Sequence, residues 1–304
     1  MPPTVHVTGE VPARVHEALA GSFTLADDAE GVDGFLSLLT TRIDDELLDR
    51  AGPQLRVVAN YGVGVDNVDL AAARARDVVV ANTPDVLTDA VAELTIALTL
   101  ALLRRVAEGD RFLRSRARWS FSLEFMLGES LRGKTFGVVG RGRIGRAAAS
   151  LAEALGARPL FAGRGHDLDA LLGTAAVVSL HCPLTPETRH LIDAAALARM
   201  RPRAVLVNTA RGPIVDEPAL VSALRDGTIA GAALDVYEHE PEVSAGLLEL
   251  ENVVLTPHVA SATPDTREAM GMLAVEALRA VLLDGRVPAN AVPEPGAIRG
   301  QLHR

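Results

Sequence analysis

The stretch Gly133-Lys134-Thr135-Phe136-Gly137-Val138-Val139-Gly140-Arg141-Gly142-Arg143-Ile144-Gly145 constrains this chain more than any other. A short apolar run ends there in G-x-G-x-x-G spacing, and an alanine-rich helical pattern from Arg146 to Leu155 follows at once. The first glycine lets the chain turn sharply, the second leaves room for a pyrophosphate against the backbone, and the third lets the helix pack closely on its strand. The helix amides and dipole then face the anion. In a chain with 26 glycines such spacing alone is weak, and a tight turn in any α/β protein would satisfy it. The order of strand, turn and helix, with a second strand pattern at Arg158 to Ala162, supplies the context of a βαβ unit.

At 304 residues and 48% apolar composition the chain can fill the cores of two domains. A formal net charge of -9 argues against general nucleic-acid binding, and an aromatic content of 3% leaves little for base stacking. The single cysteine, Cys182, excludes an intrachain disulfide framework and fits a reducing compartment. The first residues carry Glu10 and Glu17 and lack an apolar core, so no secretory signal is expected, and the apolar run Leu94 to Leu103 is too short to span a bilayer. A cytoplasmic protein without membrane or nucleic-acid partners is the expectation. The eight histidines fall into no metal-ligand spacing, so no metal is expected.

In chain order, strand patterns at Thr4 to Thr8, Gly34 to Leu39, Leu55 to Ala59 and Val78 to Ala81 alternate with helix patterns at Pro12 to Leu19, Ile43 to Ala51 and Asp69 to Arg76. Alternation of this kind implies a parallel sheet with ligands beyond the carboxyl ends of its strands, where Gly62 to Gly64 lies. Apolar residues recur at helical spacing from Thr88 to about Arg114, which reads as one long helix. The stretch Arg116 to Leu131 carries Trp119, Phe121 and Phe125 without clear periodicity, and could cover a cleft or contact a second subunit. Further strands fall at Ala176 to Leu180, Ala204 to Asn208, Ala232 to Leu234 and Val253 to Leu255. Thr263 is a good N-cap with Pro264 at the first helical position, and that helix should reach Leu283 before Asp284-Gly285 ends it. From Pro288 onward an irregular tail is expected.

Several local motifs recur in one order: Gly62-Val63-Gly64-Val65-Asp66-Asn67-Val68-Asp69, Asn82-Thr83-Pro84, the glycine turn, Leu180-His181-Cys182-Pro183-Leu184-Thr185, Asn208-Thr209-Ala210-Arg211-Gly212, Ala233-Leu234-Asp235-Val236-Tyr237 with Glu240-Pro241, and Thr256-Pro257-His258. Through them the chain resembles the D-isomer-specific 2-hydroxyacid dehydrogenases over nearly its whole length, and within them the glyoxylate/hydroxypyruvate reductases. The resemblance implies an α/β fold in which a Rossmann-type dinucleotide-binding domain is inserted in a flavodoxin-like α/β substrate-binding domain. The expected division is 1–95, then 96–262 with a dimerisation arm near 96–131, then 263–304 returning to the first domain; a homodimer is implied. Arg211, Glu240 and His258 would be the reacting groups. Negative charge gathers on the carbonyl oxygen of a 2-oxo acid as hydride arrives, and a histidine beside it can donate a proton near neutral pH. Glu240 would hold the ring and favour its protonated form, and Arg211 offers a planar fork for the substrate carboxylate. Outside that frame Glu240, between Glu238 and Glu242, reads as part of a solvated acidic face, and Arg211 and His258 as surface residues.

Tyr61, Gly62, Val63 and Gly64 are the further substrate candidates, through the backbone amides around Val63 and Gly64. The dinucleotide candidates are Thr88, Gly140, Gly142, Arg143, Ile144, Gly145, Gly163, Arg164, His181, Cys182, Pro183, Thr209, Ala210, Asp235 and His258, with Asp235 as partner of the nicotinamide amide. Cys182 is expected to be inert, because hydride transfer needs no covalent intermediate. NAD-preferring members commonly carry an aspartate where this chain has Gly163. Its absence removes repulsion of a 2'-phosphate and Arg164 adds a cation, so NADPH is the preferred cofactor expected, with NADH possible and Asp167 the residue that could restore NAD use. Phosphoglycerate or D-lactate-type dehydrogenases are the neighbouring readings, and a dinucleotide-sensing interaction protein is a reading from a different class.

Overall fold

The structure, a computed structural model, describes residues 1–163 and 167–293. The chain divides into two compact units, one made of Met1–Leu87 with the segment from Ala262 onward, the other of Thr88–Ser261.

The first unit is built from β1 (Thr4–Val7), α1 (Ala13–Ala20), β2 (Thr24–Ala26), β3 (Gly34–Ser37), α2 (Asp45–Ala51), β4 (Val57–Asn60), α3 (Leu70–Ala75) and β5 (Val79–Ala81). Its sheet has the order β2-β1-β3-β4-β5 and every pairing is parallel, the flavodoxin-like arrangement. The two central strands β3 and β4 are buried throughout, as expected of strands covered on both faces. Asp44 and Asp69 open α2 and α3 by accepting hydrogen bonds from first-turn amides, which fixes where each βα loop ends.

The second unit begins with α4 (Thr88–Leu103) and α5 (Val106–Arg114), which together occupy the range expected for one helix. The break has a visible cause. The Leu103 carbonyl accepts a hydrogen bond from the Glu129 amide at 2.8 Å, so it is taken by a returning segment, and Arg105 turns left-handed at φ 55° with its guanidinium on Glu108. Because α4 is continuous from Thr88, the division falls at residue 87 rather than at 95. Then follow β6 (Thr135–Val139), α6 (Arg143–Ala154), β7 (Arg158–Ala162), α7 (Leu168–Thr174), β8 (Val177–Leu180), α8 (Ala194–Arg199), β9 (Val205–Asn208), a 3-10 turn at Gly212–Ile214, α9 (Glu217–Arg225), β10 (Gly231–Leu234), α10 (Ala245–Leu248) and β11 (Val253–Leu255). The sheet order is β11-β10-β9-β8-β6-β7, all parallel. The order reverses at β6, so a crevice opens between the carboxyl ends of β6 and β8.

The chain returns to the first unit through α11 (Pro264–Leu282), capped by Thr263 with Pro264 in its first turn as its sequence predicts. The segment after it is less irregular than expected: Ala291 bridges Ala81, and the Val292 amide donates to the Val80 carbonyl at 2.7 Å, so the tail covers the exposed edge of β5. Among the described residues, no helix is long and apolar enough to cross a membrane.

Each unit has its own apolar core, with Phe35 fully buried in the first and Phe136 in the second. Phe35→Ala and Phe136→Ala are each expected to lower unfolding stability by about 3–5 kcal/mol. Urea titration followed by circular dichroism measures this.

Candidate active site

The crevice at β6 and β8 is shaped by its glycines. Gly140 has φ 106°, and a Cβ there would come within 2.6 Å of the His181 carbonyl carbon and 2.7 Å of the Cys182 amide. The first turn after β6 can therefore lie against the end of β8 only as glycine. A Cβ at Gly145 would collide with the Gly140 carbonyl, whereas one at Gly142, the residue before α6, would meet nothing within 4 Å. The turn is tight at its first and third glycines and open at its second, at the N-terminus of a 12-residue helix, the form that admits a pyrophosphate. Arg143 and Ile144 form the first turn of that helix.

Around the crevice, the His181 imidazole shares a 2.8 Å hydrogen bond with the Ser179 hydroxyl, and burial pushes its pKa down to about 4, so the ring is neutral near pH 7. Burial pushes the Cys182 thiol up to about 11, which makes it a small apolar contact rather than a nucleophile. Thr209 is buried with its hydroxyl 2.9 Å from that of Thr95 on α4, and the Ala210 amide donates to the Asn208 side chain. Thr88 is the first residue of α4, and Pro183 lies beyond β8. Gly163 follows β7, while Arg164 lies outside the described residues. Asp167 caps α7 by accepting from the Ala170 amide at 3.0 Å. Arg141, a residue the sequence reading passed over, places its guanidinium 5.3 Å from the centre of the Phe161 ring and so holds a cation beside the end of β7.

The proposed reacting groups lie on loops at the carboxyl ends of β9, β10 and β11. His258 has φ 52°, and its Nδ1 is 2.7 Å from Glu240 Oε2. The other Glu240 oxygen accepts from the Tyr237 amide at 3.0 Å. Burial alone would raise the Glu240 carboxyl; the His258 hydrogen bond and charge, the Tyr237 amide and nearby Arg211 outweigh it and hold the group below the usual glutamate range. With Nδ1 on the carboxylate, Nε2 is the ring atom left for proton exchange. Arg211 follows β9, and its own carbonyl accepts from the Asn208 side chain at 2.9 Å. Gly212 brings the two loops together, because a Cβ there would collide with the Tyr237 carbonyl and lie 2.5 Å from the Glu238 amide.

Asp235, expected to meet the nicotinamide amide, also holds a loop of the chain. It is fully buried, Oδ1 accepts from the Thr256 hydroxyl at 2.6 Å and the Val259 amide at 2.9 Å, and Oδ2 accepts from the Ala260 amide at 2.9 Å. Its backbone carbonyl accepts from the His258 amide at 2.8 Å. The carboxylate thus clamps the loop that carries His258. The clamp leaves no local sequence signal, because its donors lie far along the chain.

In the first unit the Gly62–Gly64 turn is held by asparagines. Asn82 Nδ2 donates to the Val63 carbonyl and Asn60 Nδ2 to the Gly64 carbonyl, each at 2.8 Å. None of the hydrogen bonds among the described residues takes up the Val63 or Gly64 amide. Tyr61, expected at the substrate, has its side chain in the core instead: its hydroxyl donates to the Arg267 carbonyl, and burial raises its pKa. A tyrosine preceding Gly62 gives no sign in sequence of which way its ring turns. Among the described residues, no group of three or more His, Cys, Asp or Glu side chains is arranged to hold a metal.

A dinucleotide crevice beside a histidine–carboxylate pair and an arginine is the arrangement of a hydride-transferring oxidoreductase. The profile of the D-isomer specific 2-hydroxyacid dehydrogenase NAD binding domain matches residues 96–260, more than half of the chain, and this chain belongs to that family of NAD(P)-dependent enzymes. It is 44% identical over 287 residues to a glyoxylate reductase of Thermococcus litoralis, covering 88% of this chain and 86% of that one. With a glyoxylate reductase of Aeropyrum pernix the identity is 47% over 287 residues, covering 88% and 85%. Among solved structures it is similar to an NADPH-dependent glyoxylate/hydroxypyruvate reductase of Sinorhizobium meliloti in complex with NADP and malonate, with TM-score 0.87, 38% identity, and 96% and 97% of the two chains covered.

Gly212→Ala is expected to lower kcat/KM by about 100-fold, since a displacement near 1 Å at reacting groups has that effect, with a stability loss of about 1–3 kcal/mol from overpacking. Steady-state kinetics and urea titration read the two effects. The depressed Glu240 group also has a pH signature. Its ionisation stabilises the fold above the unfolded glutamate value, and this contribution is lost as pH falls through the lower folded value. The stability difference between wild type and Glu240→Gln should therefore shrink as the pH is lowered through the acid range, measured by urea titration at each pH.

Proposed function

We propose that this enzyme reduces glyoxylate or hydroxypyruvate to the corresponding 2-hydroxy acid, with NADPH as preferred cofactor, NADH as the alternative, and His258 as proton donor. The observation that carries the reading is the 2.7 Å pair of His258 Nδ1 with Glu240 Oε2, with Arg211 close enough to act on the same carboxylate. The Gly140–Gly145 turn and the start of α6 would hold a reduced nicotinamide dinucleotide by its pyrophosphate, and that group would supply the hydride. The residues of the chain manage everything else. Arg211 holds the substrate carboxylate in a two-pronged grip and draws electron density from the adjacent carbonyl. His258 Nε2–H stands as the acid for the carbonyl oxygen, so the 2-oxo acid gains a hydride at carbon and a proton at oxygen. Glu240 accepts from Nδ1–H and fixes the tautomer of the ring, and water then returns a proton to Nε2. Buried Asp235 keeps the histidine loop in register.

NADPH preference is supported by four features. No carboxylate stands at Gly163, Asp167 is committed as the cap of α7, and Arg141 brings a cation to the end of β7 beside Phe161. The similar enzyme of Sinorhizobium meliloti is NADPH-dependent. The glyoxylate reductases of Thermococcus litoralis and Aeropyrum pernix support the substrate class. A cytoplasmic homodimer completes the reading. Its support is the unpaired Cys182 and a run of exposed apolar side chains beyond α5, with Trp119 57%, Phe121 82% and Leu123 84% exposed.

Steady-state rates with NADPH and NADH against a panel of 2-oxo acids test the proposal. The expected result is highest kcat/KM on glyoxylate or hydroxypyruvate and an NADPH advantage of about tenfold or more, equivalent to about 1.4 kcal/mol of differential binding. A tenfold advantage for NADH would overturn the cofactor assignment, and no turnover of either acid would overturn the substrate assignment. Replacement of His258 by alanine should lower kcat by about 100-fold or more while leaving cofactor binding in place.

A further inference from the structure

Glu238, two residues before Glu240, lies between two other acidic positions, yet its side chain is only 7% exposed. Its Oε1 is 2.6 Å from His190 Nε2 and 3.5 Å from Arg189 Nη2, and its Oε2 accepts from the Glu217 amide at 3.4 Å. The exchange is reciprocal, because the Glu238 amide donates to Glu217 Oε2 at 3.1 Å. Three segments therefore meet at one carboxylate: the 189–190 turn, the N-terminus of α9, and the loop carrying Glu240. The first two are themselves joined to the segment after Arg211. The His190 amide donates to the Pro213 carbonyl at 2.8 Å, the Ile192 amide to the Ile214 carbonyl at 3.1 Å, and the Asp216 amide to the Ile192 carbonyl at 3.1 Å. Gly212, between Arg211 and that segment, lies directly against the Tyr237–Glu238 peptide.

We propose that Glu238 and His190 form a positioning pair that sets the distance between the Arg211 loop and the Glu240 loop, and thereby aligns Glu240 with His258. Neither residue touches substrate; they act through the Tyr237 to Glu240 turn, whose amide at Tyr237 fixes one Glu240 oxygen and leaves the other for the histidine. Burial alone would raise the Glu238 carboxyl, but hydrogen bonds from His190 and the Glu217 amide, together with the nearby histidines His190 and His239, hold it below the usual range, so the acceptor is ionised near neutral pH. His190 sits at φ 51°, a left-handed conformation in which asparagine, aspartate and histidine are enriched over other side chains. The residue there must take that backbone and still reach Glu238, which histidine does and the shorter asparagine does not.

This inference rests on the reading of Arg211, Glu240 and His258 as the reacting groups, and its test includes a readout independent of turnover. The variants are Glu238→Ala, Glu238→Gln and His190→Asn in the full-length enzyme. Their kcat and KM for glyoxylate with NADPH are measured, and the Glu240 carboxyl is titrated by 13C NMR, assigned by its loss in Glu240→Gln. Glu238→Ala should lower kcat by about tenfold with the KM for NADPH unchanged, as a sub-ångström displacement at the reacting groups would. Its Glu240 titration should move up toward the ordinary glutamate value. His190→Asn should move both readouts the same way by a smaller amount, and Glu238→Gln, which keeps one acceptor oxygen, should fall between Glu238→Ala and wild type. Folded variants that lose thermal stability but keep wild-type kcat and a wild-type Glu240 titration would overturn the proposal. Should Glu238→Ala not fold, His190→Asn decides, and an unchanged titration there contradicts it. A wild-type enzyme without activity on any 2-oxo acid would overturn the functional reading, while the Glu240 titration would still judge the positioning pair.

Discussion

The buried Asp235 carboxylate organises the reacting end of the second unit. It ends β10 out of reach of water, and a carboxylate buried in that way is tolerated only if its oxygens are supplied with donors. The donors come from one short loop, through the Thr256 hydroxyl and the amides of Val259 and Ala260, so satisfying the charge fixes the loop. His258 lies in the middle of that loop at φ 52°, a conformation that costs a non-glycine residue on the order of 1 kcal/mol or more and persists because its surroundings over-determine it. Tyr237 reinforces the arrangement by donating its hydroxyl to the Thr256 carbonyl at 2.9 Å. Burial, and then the charge of Asp235, push that phenol up to about 12, so it remains a donor at any working pH.

A parallel sheet makes such an arrangement economical. The strands β9, β10 and β11 are neighbours in one sheet, so the loops at their carboxyl ends emerge side by side although they are far apart in sequence. Arg211, Glu240 and His258 come from those three ends. Farther along the same carboxyl end of the sheet, the reversal of order at β6 opens the crevice, and Gly140 allows the glycine turn to rest on the end of β8. The crevice and the three loops thus share the carboxyl end of one sheet, with glycines where two backbones must touch: Gly140 against His181, Gly145 against Gly140, and Gly212 against Tyr237.

Much of this was legible in the sequence because it depends on local pattern. Strand and helix alternation, the G-x-G-x-x-G turn and the Thr263-Pro264 start of α11 are short-range signals, and each corresponds to an observed element. What depends on a distant partner was not legible. Helical periodicity runs past Leu103, but the helix breaks because Glu129, far along the chain, takes the Leu103 carbonyl. The three-residue β2 exists by pairing with β1 and carries no strand pattern of its own, and the tail at Val292 is ordered by the open edge of β5 despite its prolines. The Tyr61 hydroxyl is directed to the Arg267 carbonyl, and the donors that Asp235 gathers come from the histidine loop, far along the chain. Glu238, in an acidic run that reads as solvated, is buried because His190 and the start of α9 meet it.

In the proposed reaction hydride passes to the carbonyl carbon of a 2-oxo acid and the His258–Glu240 pair protonates its oxygen. An isotope label follows the hydride. Enzyme supplied with glyoxylate and NADPH deuterated at both C4 positions of the nicotinamide should give glycolate carrying one deuterium at C2 and none exchanged from solvent, as read by proton NMR and mass spectrometry. Glycolate labelled at C2 from deuterated water instead, or bound cofactor with no labelled product from any 2-oxo acid, would contradict it.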